Sequence, residues 1–515
     1  MVVVAWHSER TTTFAGLRRQ SHRTVFIIEE EICMERRVKI VSTLGPAVSS
    51  PERLRKLVEA GVDVVRINAA HGSNEERANL IRNVREASRA LGRRVPILFD
   101  LRGLKIRTGP LPDGEKSISV ARGSTVNIVS TPVETSRSQI GINFPTLLQV
   151  ITPGSRILIS DGLIELLVED VMGDHAVATV GRGGQLLGRQ GVTLPGAPIT
   201  GGALTDADKE DVGFAVQQGV DYLGLSFIND ASDLKIARQE ARKHGSRVPG
   251  LIAKIERPEA LNNLEEIAAE SDGLMVARGD LGVQLPPEQV PRAQKRIIGV
   301  ANEMGVPVIT ATQMLESMIT QPVATRAETS DVANAVWDGT DAVMLSAETA
   351  VGQYPIEAVQ TMDRIIKEAE KDGPVRSEKA ALHAVIDEAD QVHRFADAIA
   401  RAAYALSVDS PVNYLVVFTK TGAAVRRVAK YRPNPPIIAV ADNDETACRL
   451  SLVWGVRSVV VSVEPDPDLV FRKAGQLIID EGFAKPGEFG LLVGSLPMTQ
   501  EAGRTNLVHF RELGT

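Results

Sequence analysis

Eight short, β-branched apolar runs recur between Val38 and Ser346, separated by longer segments that are mostly of helical period. They read VKIVST (38–43), VDVVRIN (62–68), VPILFD (95–100), VDYLGLSF (220–227), GLIAKIE (250–256), GLMVAR (273–278), PVITAT (307–312) and DAVMLS (341–346). An apolar run followed by an amphipathic segment is one βα unit, and successive units build a parallel sheet. Eight is the number that closes a (β/α)8 TIM barrel. Intervening stretches such as PERLRKLVEAG from Pro51, NEERANLIRNVREASRALG from Asn74 and EQVPRAQKRIIGVANEMG from Glu288 each end near glycine, as helices tend to.

The chain exceeds one barrel. Its 515 residues predict about three domains at roughly 100–200 residues each. Between the third and fourth runs, residues 108–198 alternate in short stretches such as KSISVARGSTVNIVS and RILISDGLIELLVEDV, which predicts an inserted small β-barrel. The barrel is expected over 34–107 and 199–371. From 372 to 515 a polar helical stretch, DGPVRSEKAALHAVIDEADQV, precedes the runs YLVVFT, PIIAVAD, RSVVVS and LLVGS, a separate α/β domain. The fold class expected is α/β: a TIM barrel with a β-barrel insertion and a C-terminal α/β domain.

Composition excludes several functions. Basic and acidic residues number 58 and 65, a formal charge of −7, so nucleic acid is not an expected partner. No apolar stretch approaches the roughly 18–20 residues that cross a bilayer, so no membrane role is expected. The two cysteines, Cys33 and Cys448, form no disulfide framework, and a cytoplasmic protein is expected. Residues 1–33 carry Arg10, Arg18, Arg19 and Arg23 without sustained periodicity; they read as a disordered extension, with an initiator at Met34 as the alternative.

The polar residues that close each run carry the chemistry. The second to eighth runs finish in Arg66 and Asn68, Asp100, Ser226, Lys254 and Glu256, Arg278 and Asp280, Thr312, and Ser346 with Glu348. Parallel strands bring these ends to one rim, where barrel enzymes build their sites. Glu256 and Asp280 supply hard oxygen ligands with no His or Cys cluster near in sequence, which suits Mg2+ or Mn2+. Lys254, two residues from Glu256 on one strand, shares its face and places a cation beside a metal-bound anion. A plain structural ion pair is the alternative for those two. Arg66 and Arg278 add positive charge, and the glycines of Arg278-Gly279-Asp280-Leu281-Gly282 let backbone N–H groups approach an anion. The expected substrate is small, anionic and phosphorylated.

With KIVSTLGPA, RINAAHG, SDGLIEL, KIERPEALNN, MVARGDLGVQLP, ATQMLESM and TRAETSDVANAVWDGTDAVMLSAETAVGQYP in place, the chain resembles the pyruvate kinase family from about Lys39 to Asn506. The resemblance implies phosphoryl transfer from phosphoenolpyruvate to ADP, giving pyruvate and ATP, by a three-domain subunit that assembles as a homotetramer. It implies Glu256 and Asp280 as metal ligands, Lys254 and Arg66 on the transferring phosphoryl, and Thr312 near the enolate carbon. It further implies the backbone at Gly279 on the carboxylate, Asn68, His71 and Arg107 in the nucleotide region, and the insertion as a lid. The loop Thr419-Lys420-Thr421-Gly422, which follows a strand and opens a helix, is where the family often binds a phosphorylated effector.

The sequence departs from the family pattern at the monovalent-cation site, where it reads Asn68, Ala70, Asp100 and Leu101, with Lys105 in place of a glutamate. One ligand oxygen is lost and an ammonium gained, so a K+-independent enzyme is expected; the alternative is a Lys105 that only faces solvent. Gln190 stands where a lid lysine is usual, with Arg189 beside it; Asn229 replaces a frequent arginine, and Ser160 the first acid of Asp-Asp-Gly before Asp161. Two other readings compete: a metal-dependent, aldolase-like barrel lyase and a regulatory paralogue without catalysis.

Overall fold

The computed structural model describes residues 36–197, 204–372, 391–462, 464, 466–496 and 505–514. All eight apolar runs are strands: Lys39–Thr43, Val64–Asn68, Ile97–Asp100, Tyr222–Leu225, Gly250–Ile255, Gly273–Ala277, Val308–Ala311 and Ala342–Leu345. Each pairs in parallel with its sequence neighbours, and the first closes on the eighth. Alternation sorts their side chains. Val41, Val64, Leu98, Tyr222, Ile252, Met275, Ile309 and Met344 fill the interior, while Ile40, Val65, Phe99 and Leu251 face the surrounding helices.

Helix ends follow local chemistry. Ser73 and Glu76 form a capping box on the helix Asn74–Ala90, Thr205 and Asp208 one on Asp206–Gln217, and Thr325 and Glu328 one on Arg326–Trp337. Gly305, at φ 68°, ends Val290–Met304 in the left-handed conformation glycine adopts without strain.

The stretch between the third and fourth strands forms a six-stranded and a two-stranded sheet around a core that includes Ile128, Ile140, Leu147, Ile157 and Leu166. Next to the outgoing connection, Arg107 bridges to Gly191 and Thr108 to Ile142. Ser160 and Asp161 both have positive φ, in the turn that joins Arg156–Ile159 to Ile164–Val171.

The C-terminal unit is a five-stranded sheet. Tyr414–Thr419, Ile437–Ala441, Val456–Val460 and Phe489–Gly494 are parallel, and Leu507–Glu512 pairs antiparallel at the edge. That edge strand is not among the runs the sequence marks, because LVHFRE, only partly buried, has no continuous apolar stretch. Most of the polar stretch after Asp372, together with residues 1–33 and Cys33, lies outside the described residues. Among the described residues no helix is long and apolar enough to cross a membrane.

Candidate active site

The strand ends meet at one rim, and its floor is a network of alternating charge. Arg66 lies two residues before Asn68, which ends the second strand; Asp100 ends the third, and the register pairs Asn68 with Asp100. Arg66 donates through Nε to Asp100 Oδ2 at 2.8 Å and through Nη1 to Thr43 Oγ1 at 3.1 Å. Asp100 Oδ1 lies 3.4 Å from Lys254 Nζ, which also donates to Ser226 Oγ at 2.8 Å and lies 2.8 Å from Glu256 Oε1. The other Glu256 oxygen accepts the Phe227 backbone N–H at 2.7 Å. Asp100 and Glu256 are each 1 % exposed and Lys254 9 %, so these charges interact with little water between them. Gly224 makes room, since a Cβ there would stand 2.7 Å from Asp100 Oδ1.

The electrostatics follow from burial and neighbours. Burial pushes the Asp100 carboxyl up, but Lys254 and Arg66 outweigh it and hold the group below its ordinary range. Burial disfavours the Lys254 ammonium, yet Asp100, Glu256 and Asp280 together push its pKa up, so it is a fixed cation. Burial, reinforced by the Asp280 charge and opposed by Lys254, raises Glu256 to about 7. A carboxylate held this way, near a second carboxylate, is short of positive charge. Glu256 and Asp280 therefore suit a divalent cation bound through hard oxygens. Among the described residues no group of three or more His, Cys, Asp or Glu forms a metal cage, so substrate oxygens and water would complete the shell.

Lys105 is exposed, and desolvation, then the charges of Arg107 and Lys254, lower its pKa while Asp100 and Asp280 oppose them. Its ammonium is thus within electrostatic reach of the site. Desolvation and then the charges of Lys105, Arg66 and Arg107 lower the His71 pKa, which favours the neutral imidazole. Arg77 holds the His71 loop by donating through Nε to the His71 carbonyl at 3.0 Å, and it pairs with Asp211 at 3.1 Å. Asn68 Oδ1 accepts the Ala70 N–H at 2.9 Å, and the Leu101 carbonyl accepts the Ser226 hydroxyl at 3.1 Å.

Thr312 and Gln313 stand at φ 66° and 54°, an outlying conformation for a β-branched residue and one that costs about 1–3 kcal/mol. Arg278 holds them there. It donates to the Thr312 carbonyl at 2.6 Å and pairs with Asp331 at 2.7 Å. The Gly279 N–H donates to Thr312 Oγ1 at 2.8 Å, and that hydroxyl donates to the Ala311 carbonyl at 2.6 Å.

Several expectations change here. Arg278 is not open positive charge, because Asp331 and the seventh-strand carbonyls occupy its guanidinium. The Gly279 N–H is directed at Thr312. Glu348, 2 % exposed, accepts the backbone N–H groups of Leu315 at 3.1 Å and Ser346 at 2.6 Å, which makes it a brace for the loop after Thr312. Gln190 turns its side-chain carbonyl to the Leu187 N–H within its own turn, and Asn229 Oδ1 accepts from Arg257. Thr43, Arg77, Asp331 and the Phe227 N–H were missed; only Thr43, the polar end of the first run, carried a signal in the sequence. In the C-terminal unit, Gly422, at φ 82°, donates its N–H to Thr419 Oγ1 at 2.9 Å, and the Lys420 carbonyl accepts from Thr446. Thr421 is exposed.

A parallel barrel with this rim is an enzyme fold, and paired carboxylates beside a buried lysine and an arginine define a site for metal-assisted chemistry on a small anion. The sequence matches the family described as pyruvate kinase, barrel domain, over residues 35–359, and that described as pyruvate kinase, alpha/beta domain, over 397–510. The pyruvate kinase of Geobacillus stearothermophilus is 41% identical over 480 residues, covering 92% of this chain and 80% of that protein. That of Bacillus licheniformis is 41% identical over 484 residues, covering 93% and 81%. The crystal structure of a pyruvate kinase from Cryptosporidium parvum superimposes with a TM-score of 0.83 at 33% identity, covering 93% of this chain and 96% of that one. The chain belongs to the pyruvate kinase family and is a phosphotransferase.

Proposed function

We propose that this enzyme transfers the phosphoryl group of phosphoenolpyruvate to ADP, forming pyruvate and ATP in glycolysis. The observation that carries the residue roles is the buried row Arg66–Asp100–Lys254–Glu256, which presents two fixed cations to an incoming phosphoryl group. Phosphoryl transfer needs in-line positioning and charge neutralisation more than covalent catalysis. An oxygen of the ADP β-phosphate forms the new bond to phosphorus while the bond to the enol oxygen breaks and its electrons stay on the enolate. Arg66 and Lys254 neutralise the moving group, and Lys254 also faces the enolate oxygen. A Mg2+ or Mn2+ ion held by Glu256 and Asp280 would supply further charge neutralisation at the phosphoryl oxygens. The enolate carbon then takes a proton beside Thr312, directly or through water, and ketonisation makes the step downhill. The reading assigns the backbone at Gly279, whose N–H here donates to Thr312 Oγ1, to the substrate carboxylate, and Asn68, His71 and Arg107 to the nucleotide side.

The same reading makes Lys105 an internal replacement for K+, supported by its electrostatic reach to Asp100 and Lys254. It assigns the residues to a barrel (34–107 and 199–371), a lid (108–198) that closes to exclude water, and a C-terminal domain (372–515). The loop 419–422 is assigned to a phosphorylated effector, the assembly is a homotetramer, and the compartment is the cytoplasm. The experiment is pyruvate formation from phosphoenolpyruvate and ADP with Mg2+, in tetramethylammonium buffer and with added K+. Activity in both is expected. Activity only with K+ would discard the Lys105 assignment, and none in either would discard the kinase reading. Saturation curves for phosphoenolpyruvate that stay superimposable with sugar phosphates and AMP added would remove the effector assignment.

A further inference from the structure

The residue immediately before each even-numbered barrel strand is an aspartate: Asp63, Asp221, Asp272 and Asp341. All four do the same work at the barrel floor. Oδ2 of each accepts the backbone N–H of the preceding odd strand, from Ile40 at 2.8 Å, Ile97 at 2.9 Å, Leu251 at 2.9 Å and Val308 at 3.0 Å. Each is paired with an arginine. Arg36, Arg247 and Arg238, all from the barrel segments, serve the first three. The fourth, Asp341, takes Arg432 from the C-terminal unit, 2.9 Å from its Oδ1, and the Trp454 N–H donates to the same oxygen at 3.1 Å.

Arg432 is built for this contact. It is 7 % exposed, adopts φ 49°, lies 4.9 Å from the Trp454 ring centroid, and donates also to Asn302 Oδ1 at 2.9 Å and the Gly339 carbonyl at 2.7 Å. Under the fourth strand, diametrically opposite the eighth in the barrel order, the Tyr222 hydroxyl donates to the Arg449 carbonyl at 2.8 Å. There Arg449 donates to the Val248 carbonyl at 2.6 Å, and Glu445 pairs with Arg247 at 3.3 Å. Between the two grips Leu452, 1 % exposed, packs into the apolar barrel interior.

We infer that the C-terminal unit is a structural part of the barrel floor and acts on it as a two-point lever, through Arg432 on Asp341 and through Arg449 and Glu445 beneath the fourth strand. The strand ends above these grips belong to the site. The fourth strand leads to Ser226 and Phe227, which hold Lys254 and Glu256, and the strand whose first N–H Asp341 accepts leads to Thr312. Strands hydrogen-bonded on both sides move as units, so a shift of the lever reaches the rim. The inference goes beyond the proposed function and does not depend on what binds at 419–422.

The test uses full-length Arg432→Gln, Arg432→Lys and Tyr222→Phe, with hydrogen exchange followed by mass spectrometry and phosphoenolpyruvate saturation curves. Arg432→Gln is expected to speed exchange in residues 306–312 about tenfold and to lower kcat/KM about tenfold, with Arg432→Lys recovering part of both. Tyr222→Phe, which keeps the ring, is expected to speed exchange in residues 222–227 and lower kcat/KM severalfold. Faster exchange at 430–434 and 449–455 with wild-type exchange at 306–312 and 222–227 and wild-type kcat/KM would overturn the lever. If Arg432→Gln does not fold, Tyr222→Phe decides alone. A wild-type protein that forms no pyruvate would count against the functional reading, while the exchange measurements would still decide this one.

Discussion

Arg66 and Asp100, on adjacent strands, are joined by a 2.8 Å hydrogen bond from Nε to Oδ2, and the other Asp100 oxygen faces Lys254 at 3.4 Å. One buried carboxylate therefore sets the spacing of the two cations assigned to the phosphoryl group. It keeps them apart from each other and aimed at one rim.

Asp100→Asn retains the shape and removes the charge. The two cations then repel without an intervening anion, and kcat should fall by about 10²–10³, the range seen when a preorganised electrostatic contact is lost. Steady-state kinetics on protein with an unchanged circular dichroism spectrum checks this. Wild-type kcat would mean that Asp100 does not set the cation geometry.

Gly224→Ala would place a Cβ 2.7 Å from Asp100 Oδ1. The crowding should cost about 1–3 kcal/mol, as overpacking of a core does, and displace Asp100 from Arg66. Urea unfolding should show the lower midpoint, and activity should fall with it.

Asp100, buried, and Asp63, half-buried, are carboxylates held below their ordinary range against the push of desolvation, Asp100 by Lys254 and Arg66, Asp63 by Arg36 and Lys39. A depressed folded-state pKa contributes stability that is present above the unfolded value of about 3.9 and is lost as pH falls through the folded value. Thermal midpoints should therefore drop steeply below about pH 4, and Asp63→Asn should flatten that drop while lowering the midpoint at pH 7. A midpoint in Asp63→Asn that falls just as steeply would show that Asp63 is not part of the acid transition.

Lys105→Glu reverses a charge within electrostatic reach of Asp100 and Lys254. Activity in K+-free buffer should fall at least tenfold, and added K+ should restore part of it. Unchanged activity in both buffers would place Lys105 outside the site's electrostatics.

Much of this protein was legible in one dimension. Eight apolar runs bounded by helical segments specify a closed parallel barrel, because strand and helix periods are local and the closure number is a count. The polar ends of those runs were legible for the same reason: a buried parallel strand has one catalytic end, so Arg66, Asp100, Lys254, Glu256 and Thr312 stood out in the sequence alone. Motif blocks such as ARGDLG and ATQMLESM carried the family.

Other features depended on the third dimension. Arg278 and Glu348 looked like rim charges and are braces, because Asp331 and the Leu315 N–H that meet them lie 53 and 33 residues away in the chain. Asp100 stood in the sequence as a strand end and a position of the monovalent-cation site; its contacts with Arg66 and Lys254 are decided by the register between strands. The edge strand Leu507–Glu512 forms because Phe489–Gly494 offers it a ladder. Arg432 could not be matched to Asp341 from spacing, because 91 residues and a domain boundary separate them. Local periodicity determines which faces are apolar and which ends are polar; which charge meets which is decided by long-range packing, where a buried ion must find its partner or pay for its desolvation.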